Sequence, residues 1–187
     1  MIKEVFNQLT NRYSPLIKWL IESNQIYTNI RTRIKWMFGQ DENLAITAVV
    51  DRKTNVLSVN VLFVDDAYKN NRIFEIEYFL LHEMRHIYQH NQIELYKNNE
   101  QIVDSKYIEL WIKEGQNYVK SLDENGNENI DYFKQDCELD AYAFSYAAMH
   151  HKYCGIYDSF LFVPEIYKNE LKEEFDSAVK AFLKGIE

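Results

Sequence analysis

The stretch from Leu80 to Gln89 constrains the fold more than any other part of this chain. It lies within Arg72–His90, a segment that contains neither proline nor glycine. Apolar residues recur in this segment at the spacing of a helix, so the sequence predicts one long helix with Asn70 and Asn71 as N-caps and Asn91 as its end. The apolar stripe is broad, which favours a buried helix over one lying on the surface.

This helix carries the pattern His82-Glu83-x-x-His86. Residues four apart are neighbours on a helix surface, so both imidazoles can offer a nitrogen to one metal ion. A carboxylate beside them can take a proton from water, which is why H-E-x-x-H is typical of zinc hydrolases. The alternative is an amphipathic helix whose histidines only pack or form hydrogen bonds.

A second informative stretch runs from Asp136 to Met149 and also reads as a helix. Its small residues predict close approach of a neighbouring helix, and they are Ala141, Ala143, Ala147 and Ala148. Catalytic zinc usually has three protein ligands and one open position, so two histidines need a third donor. Gln89 and Gln92 stand where a metzincin has its glycine and third histidine, which excludes that class. The remaining common solution is a carboxylate from a later helix, and Glu138 is the candidate.

Taken together, His82-Glu83-x-x-His86 and Glu138-x-x-Ala141-x-x-Phe144 resemble the motifs of the ImmA/IrrE-like gluzincin peptidases. The resemblance implies His82, His86 and Glu138 as zinc ligands, with Glu83 as general base. It covers two short motifs and their order along the chain.

One position departs from the pattern of this family. The Asp or Asn that follows the carboxylate ligand by four residues is replaced here by Tyr142. The hydrogen-bond acceptor for a ligating histidine is then unassigned, and Asp140 or a backbone carbonyl remains available. The same departure leaves Asp136 or Asp140 as alternative third ligands.

The other segments predict a small sheet and further helices around these two. Ile2–Met37 predicts two helices broken near Ser14-Pro15, because proline opens a helix more easily than it continues one. Leu44–Val64 is rich in β-branched residues and predicts a hairpin whose second strand runs from Val56 to Val64. We therefore expect a single α+β zincin-like domain over residues 1–187. It would be mostly helical, with a small antiparallel sheet packed on the H-E-x-x-H helix and an insertion at about 92–135.

Composition restricts the partners. Net charge is −8 and the pI is near 5.2, which argues against nucleic acid because phosphate binding needs a basic face. No apolar run is long enough to cross a bilayer, and the first twenty or so residues lack the features of a signal peptide. Two cysteines, Cys137 and Cys154, are too few for a disulfide scaffold. The sequence thus predicts reduced thiols and a cytoplasmic location.

These inferences predict zinc-dependent hydrolysis of a peptide bond in a peptide or protein substrate. Glu83 would act as the general base beside a zinc ion bound by His82, His86 and Glu138. Two alternatives remain from the sequence alone. One is a zincin fold that binds a partner protein without catalysis, and the other is a helical scaffold without metal.

Overall fold

The computed structural model describes residues 2–38, 47–51, 53–100, 103–122, 125, 127, 129–155 and 171–186. The chain divides into two compact units, Met1–Ile87 and Tyr88–Glu187. The boundary falls inside one long helix, which is continuous through it. The described part is mostly helical and contains one small sheet, in agreement with the predicted α+β class.

The sheet of the first unit has three strands, β1 (Arg33–Met37), β2 (Ala48–Asp51) and β3 (Val56–Asn60), with β3 in the centre. β2 and β3 pair antiparallel as the predicted hairpin, although residues 45–46 of the predicted first strand, 45–50, lie outside the described residues. β1 pairs with β3 in parallel, so the sheet is mixed and the prediction of a purely antiparallel sheet was wrong. The sequence analysis had placed β1 in the helical N-terminal stretch. Its signal is only five residues long and includes no buried residue, since Arg33 and Lys35 are exposed and the other three residues are half-buried.

The second strand of the hairpin also ends earlier than predicted, at Asn60. The Asn60 side chain accepts hydrogen bonds from the backbone N–H groups of Leu62 and Phe63, at 3.0 and 3.5 Å, and so begins α3 (Val61–Lys69). An N-cap asparagine of this kind satisfies N–H groups that have no partner within the helix. The apolar run beyond Asn60 had suggested a strand, but Val61, Val64 and Ala67 are buried at helical spacing.

The N-terminal stretch forms one long helix, not the predicted pair. α1 (Ile2–Ser23) continues through Pro15 and is followed by the short α2 (Gln25–Thr28). A proline inside a helix lacks one backbone hydrogen bond and costs about 3 kcal/mol. The buried stripe of α1 runs through Tyr13, Ile17 and Leu20, on both sides of Pro15. Burial of this single stripe outweighs the local cost of the proline.

The long helix α4 (Ile73–Lys97) begins close to the predicted start, at Ile73, and continues well beyond the predicted end at Asn91. Asn70 and Asn71 close α3 and do not cap α4. Asn71 has a φ of 56°, and the N–H of Arg72 reaches the Ala67 carbonyl at 2.7 Å, as in a Schellman motif. Asn91 lies inside α4 and does not end it. Its side chain is exposed and is therefore tolerated within the helix, and the neighbouring Gln92 is buried.

Among its described residues, the second unit has four helices after α4. These are α5 (Ser105–Gln116), α6 (Ile130–Phe133), α7 (Asp136–Lys152) and α8 (Lys172–Ile186). α7 is buried on nearly all sides, and the four alanines that predicted close packing are all fully buried. Phe144 of α7 meets Phe182 of α8 edge to face, with 5.5 Å between ring centroids. The predicted insertion at 92–135 contains the end of α4 together with α5 and α6.

Two further observations concern the whole described chain. Neither Cys137 nor Cys154 forms a disulfide. No helix among the described residues combines the length and apolar character that a membrane span requires.

The contact between α1 and α3 depends on Tyr13, whose hydroxyl donates a hydrogen bond to the Asp65 carboxylate at 2.7 Å. Burial and the bond to Asp65 raise the pKa of Tyr13 to about 12. Burial alone would raise the pKa of Asp65, but hydrogen bonds from Lys69 and Tyr13 outweigh it and lower that pKa.

We expect Tyr13→Phe to lower the free energy of unfolding at pH 7 by about 1.5–3 kcal/mol, the contribution of a hydrogen bond to a charged group. Because the folded-state pKa of Asp65 is depressed, this contribution exists above the usual value of 3.8 and is lost as the pH falls through the folded-state pKa. The pKa of Tyr13 is raised from 10.0 to about 12, so the parent should also lose stability as the pH rises through that range, and the variant should not.

Urea unfolding at pH 3, 7 and 11 checks both slopes. Tyr68→Phe is the matched control, because the Tyr68 ring packs on Tyr13 at 5.3 Å but its hydroxyl does not make this bond. A pH-independent difference between Tyr13→Phe and the parent would contradict the assignment.

Candidate metal centre

The helix α4 presents His82 and His86 on one face, as the spacing predicts. Their Nε2 atoms lie 3.0 Å apart, and the rings are nearly perpendicular. His82 is only 3% exposed, whereas His86 and Glu83 are half-buried. Both imidazoles therefore direct the same nitrogen at a common point. Without a metal, this contact requires one of the two Nε2 atoms to carry the proton.

The first turn of α7 contributes the third member of the cluster. One ligand atom from each of His82, His86 and Glu138 lies within 4.8 Å of the others. Glu138 is fully buried. Neither Asp136 nor Asp140 belongs to this group. The structure therefore brings the carboxylate of Glu138, rather than either neighbouring aspartate, to the two histidines.

The donor set fits a metal ion. Zinc–nitrogen bonds of about 2.0–2.1 Å in a tetrahedron would place two nitrogens roughly 3.3 Å apart, close to the separation of the two Nε2 atoms. Two imidazoles and one carboxylate also match the ligands of zinc sites that keep an open position. The His82, His86 and Glu138 group could thus hold a metal ion.

The start of α7 is held in place by Glu114 of α5. Gln135 occupies the N-cap position, but its side chain makes no capping hydrogen bond. The Glu114 carboxylate instead accepts from the backbone N–H groups of Asp136 at 2.6 Å and Cys137 at 2.9 Å. These are two of the donors that a helix leaves unsatisfied at its start. Burial, with Glu114 and Asp140 nearby, also raises the pKa of Asp136.

Gln89 joins the last turns of α4 to α7. It lies one turn beyond His86, and its amide nitrogen donates to the Cys137 carbonyl at 2.8 Å and to the Asp140 carboxylate at 2.7 Å. A metzincin has glycine at the position of Gln89, and this difference excluded the metzincin class. In this chain Gln89 has a structural role, because it connects α4 to α7. Asp140, which the sequence left available as an acceptor for a ligating histidine, accepts this bond from Gln89.

Two tyrosines lie beside the Glu138 carboxylate, and the sequence analysis missed them. The Tyr118 hydroxyl donates to Glu138 Oε1 at 2.7 Å, and Tyr132 of α6 lies near the same carboxylate. Burial and the neighbouring carboxylate raise the pKa of both phenols, which therefore remain protonated donors. Tyr118 precedes Glu138 by twenty residues and follows a helix end, so no local spacing signals the contact.

The residues that follow Glu138 on α7 are poorly placed to act at the candidate metal centre. His150 lies twelve residues further on, which corresponds to about 18 Å along the helix axis at 1.5 Å per residue. Its ring stacks on Tyr146, with 5.7 Å between centroids. His150 and His151 are thus too distant from Glu138 to contact the same small group. Tyr142, one turn from Glu138, is buried against Phe133.

Comparisons of the chain with family models, with curated proteins and with solved structures found no match in any of the three. The resemblance to ImmA/IrrE-like peptidases therefore remains a prediction from two short motifs. What the structure adds is the convergence of His82, His86 and Glu138.

The link between α4 and α7 predicts that Gln89→Leu lowers the free energy of unfolding by about 1–3 kcal/mol. Gln89 is 2% exposed, and leucine would leave the Cys137 carbonyl and the Asp140 carboxylate without this donor. Gln8→Leu on the exposed face of α1 is the control and should stay within about 0.5 kcal/mol of the parent. Denaturant unfolding of the three proteins measures the difference. Equal stability of all three would contradict this role of Gln89.

Proposed function

We propose that this chain is a zinc-dependent metalloendopeptidase in which His82, His86 and Glu138 bind the ion. The observation that carries the proposal is the convergence of these three side chains, with ligand atoms within 4.8 Å of one another. Glu83 supports catalysis over a purely structural metal, because a structural site has no use for an adjacent carboxylate. The resemblance of both motifs to ImmA/IrrE-like peptidases points in the same direction.

A zinc ion bound here would act as a Lewis acid on the scissile carbonyl and lower the pKa of water. Glu83 follows His82 directly, so its side chain leaves the helix about 100° away from the imidazole. This direction suits a general base beside the ion better than a ligand on it. Glu83 would accept a proton from water and return it to the leaving amine.

The proposed substrate is a peptide or protein. The acidic balance of the chain, with a net charge of −8, disfavours nucleic acid because phosphate binding needs a basic face. A zincin-fold module that binds a partner protein without cleaving it is the competing function, and the experiments below separate the two.

The ligand assignment predicts about one zinc per chain after dialysis against zinc, measured by elemental analysis. Glu138→Ala should weaken zinc binding far more than Asp140→Ala in a calorimetric titration. The reason is that Glu138 belongs to the converging group, whereas Asp140 accepts a hydrogen bond from Gln89. The reverse order would transfer the ligand role to Asp140. A parent protein that stays metal-free would refute the zinc site.

The catalytic assignment predicts that Glu83→Gln keeps zinc and melting temperature but loses hydrolysis by about two to four orders of magnitude, the usual contribution of a general base. Glutamine preserves the shape and the hydrogen bonding while removing the base. Glu94→Gln is the matched control, because Glu94 lies on the same helix, is exposed and pairs with a surface lysine, Lys97, at 2.7 Å.

Zinc content, melting temperature and cleavage of a peptide library should be measured for all three proteins. Unchanged cleavage by Glu83→Gln would remove Glu83 from the mechanism. A parent with a full zinc site and no cleavage across the library would favour the binding module.

A further inference from the structure

The carboxylate of Glu138 is fully buried and receives its donors from outside its own helix. The Tyr118 hydroxyl donates to Glu138 Oε1 at 2.7 Å. The Tyr118 residue is 39% exposed, so its outer part faces solvent while its hydroxyl reaches inward to the carboxylate. Such a contact restricts the rotation of a carboxylate about its last side-chain bonds and so favours one orientation.

The buried side-chain amide of Gln135 fixes the backbone next to Tyr118. Gln135 is 6% exposed. Its Oε1 accepts from the N–H of Val119 at 2.9 Å, and its Nε2 donates to the Val119 carbonyl at 3.2 Å. Both backbone groups of Val119 are thus fixed by hydrogen bonds to Gln135, the N-cap residue of α7.

The same amide also holds the second tyrosine. Gln135 Nε2 donates to the Tyr132 carbonyl at 3.0 Å, and the rings of Tyr118 and Tyr132 meet edge to face at 6.1 Å. The Tyr118 hydroxyl hydrogen-bonds to Glu138, and Tyr132 lies near the same carboxylate. Glu138 itself follows Gln135 by three residues, and its N–H donates to the Gln135 carbonyl at 3.0 Å. Hydrogen bonds from one glutamine therefore connect Glu138, the backbone beside its donor Tyr118, and Tyr132.

We propose that Tyr118 is the positioning residue of the metal centre and orients the Glu138 carboxylate toward the ion. The hydrogen bonds of Gln135 to Val119 hold the backbone beside Tyr118 in place. This inference rests on the proposed metal site and assigns Tyr118 no contact with substrate. It also gives a function to Tyr118, which follows α5 in a part of the chain that the sequence analysis treated only as an insertion.

The expected effect is on metal affinity. Groups that hydrogen-bond to a metal ligand typically change affinity by 10–100-fold when they are removed. Tyr118→Phe removes only the hydroxyl, and the partial exposure of this residue makes the substitution compatible with folding. We expect zinc to bind 10–100-fold more weakly to Tyr118→Phe, in competition titrations against a chromophoric chelator. The melting temperature of the metal-free protein should change little.

Tyr96→Phe is the matched control. Its hydroxyl also donates to a carboxylate, that of Glu109, at 3.1 Å, but this pair is exposed and Glu109 is outside the ligand group. Zinc affinity of Tyr96→Phe should equal that of the parent. An equal loss in Tyr96→Phe and Tyr118→Phe would overturn the proposal, because it would reflect a general effect of removing phenol groups.

A double-mutant cycle separates positioning from a diffuse structural effect. If Tyr118 acts through the carboxylate, Tyr118→Phe should weaken zinc binding in the parent and have no further effect in the Glu138→Ala background. The same factor in both backgrounds would overturn the proposal. Gln135→Leu should weaken binding in the same direction and add little to Tyr118→Phe, since both act on one arrangement.

The Tyr132→Phe variant and the Tyr118→Phe/Tyr132→Phe double variant test whether the Tyr132 hydroxyl compensates for loss of the Tyr118 hydroxyl. Unchanged affinity in the double variant, with a parent that binds zinc, would overturn this inference alone and leave the metal site standing. A parent that binds no zinc would overturn both.

Discussion

The buried carboxylate of Glu138 is the constraint on which this structure depends most. Removing an ionised carboxylate from water costs several kcal/mol unless charge or hydrogen bonds compensate. Tyr118 supplies a hydrogen bond, and the cationic charge of a metal ion would supply much more compensation. A neutral side chain of similar size would fill the same space without this cost. The burial of Glu138 therefore fits the proposed ligand role better than a role in stability alone.

The other half of the site depends on the continuity of α4. Because His82 and His86 share one uninterrupted helix, their separation is fixed by helix geometry before any metal arrives. Gln89, one turn further along, fixes the same helix to α7 through the Cys137 carbonyl and the Asp140 carboxylate. Preorganisation of this kind reduces the conformational entropy that ligand side chains lose on binding.

The sequence predicted the parts of the site that are encoded locally. Helical spacing and the absence of breakers placed His82 and His86 correctly, and a motif of seven residues selected Glu138. It failed at Pro15, where burial of the α1 stripe overrides the local preference. It also failed at Asn60, because it did not use the local capping signal by which this side chain begins α3 in a β-like apolar run. The parallel pairing of β1 also depends on long-range contacts that periodicity does not record.

The departure at Tyr142 shows why a motif read residue by residue describes a metal site incompletely. The pattern expects a polar side chain one turn after the ligand, whereas Tyr142 is buried against Phe133. In this chain, the Glu138 carboxylate accepts a hydrogen bond from Tyr118, a residue that stands outside the motif. The donors around a ligand need only the right position in space, so different segments can supply them. The two histidines have no such freedom, because the helix itself fixes their spacing.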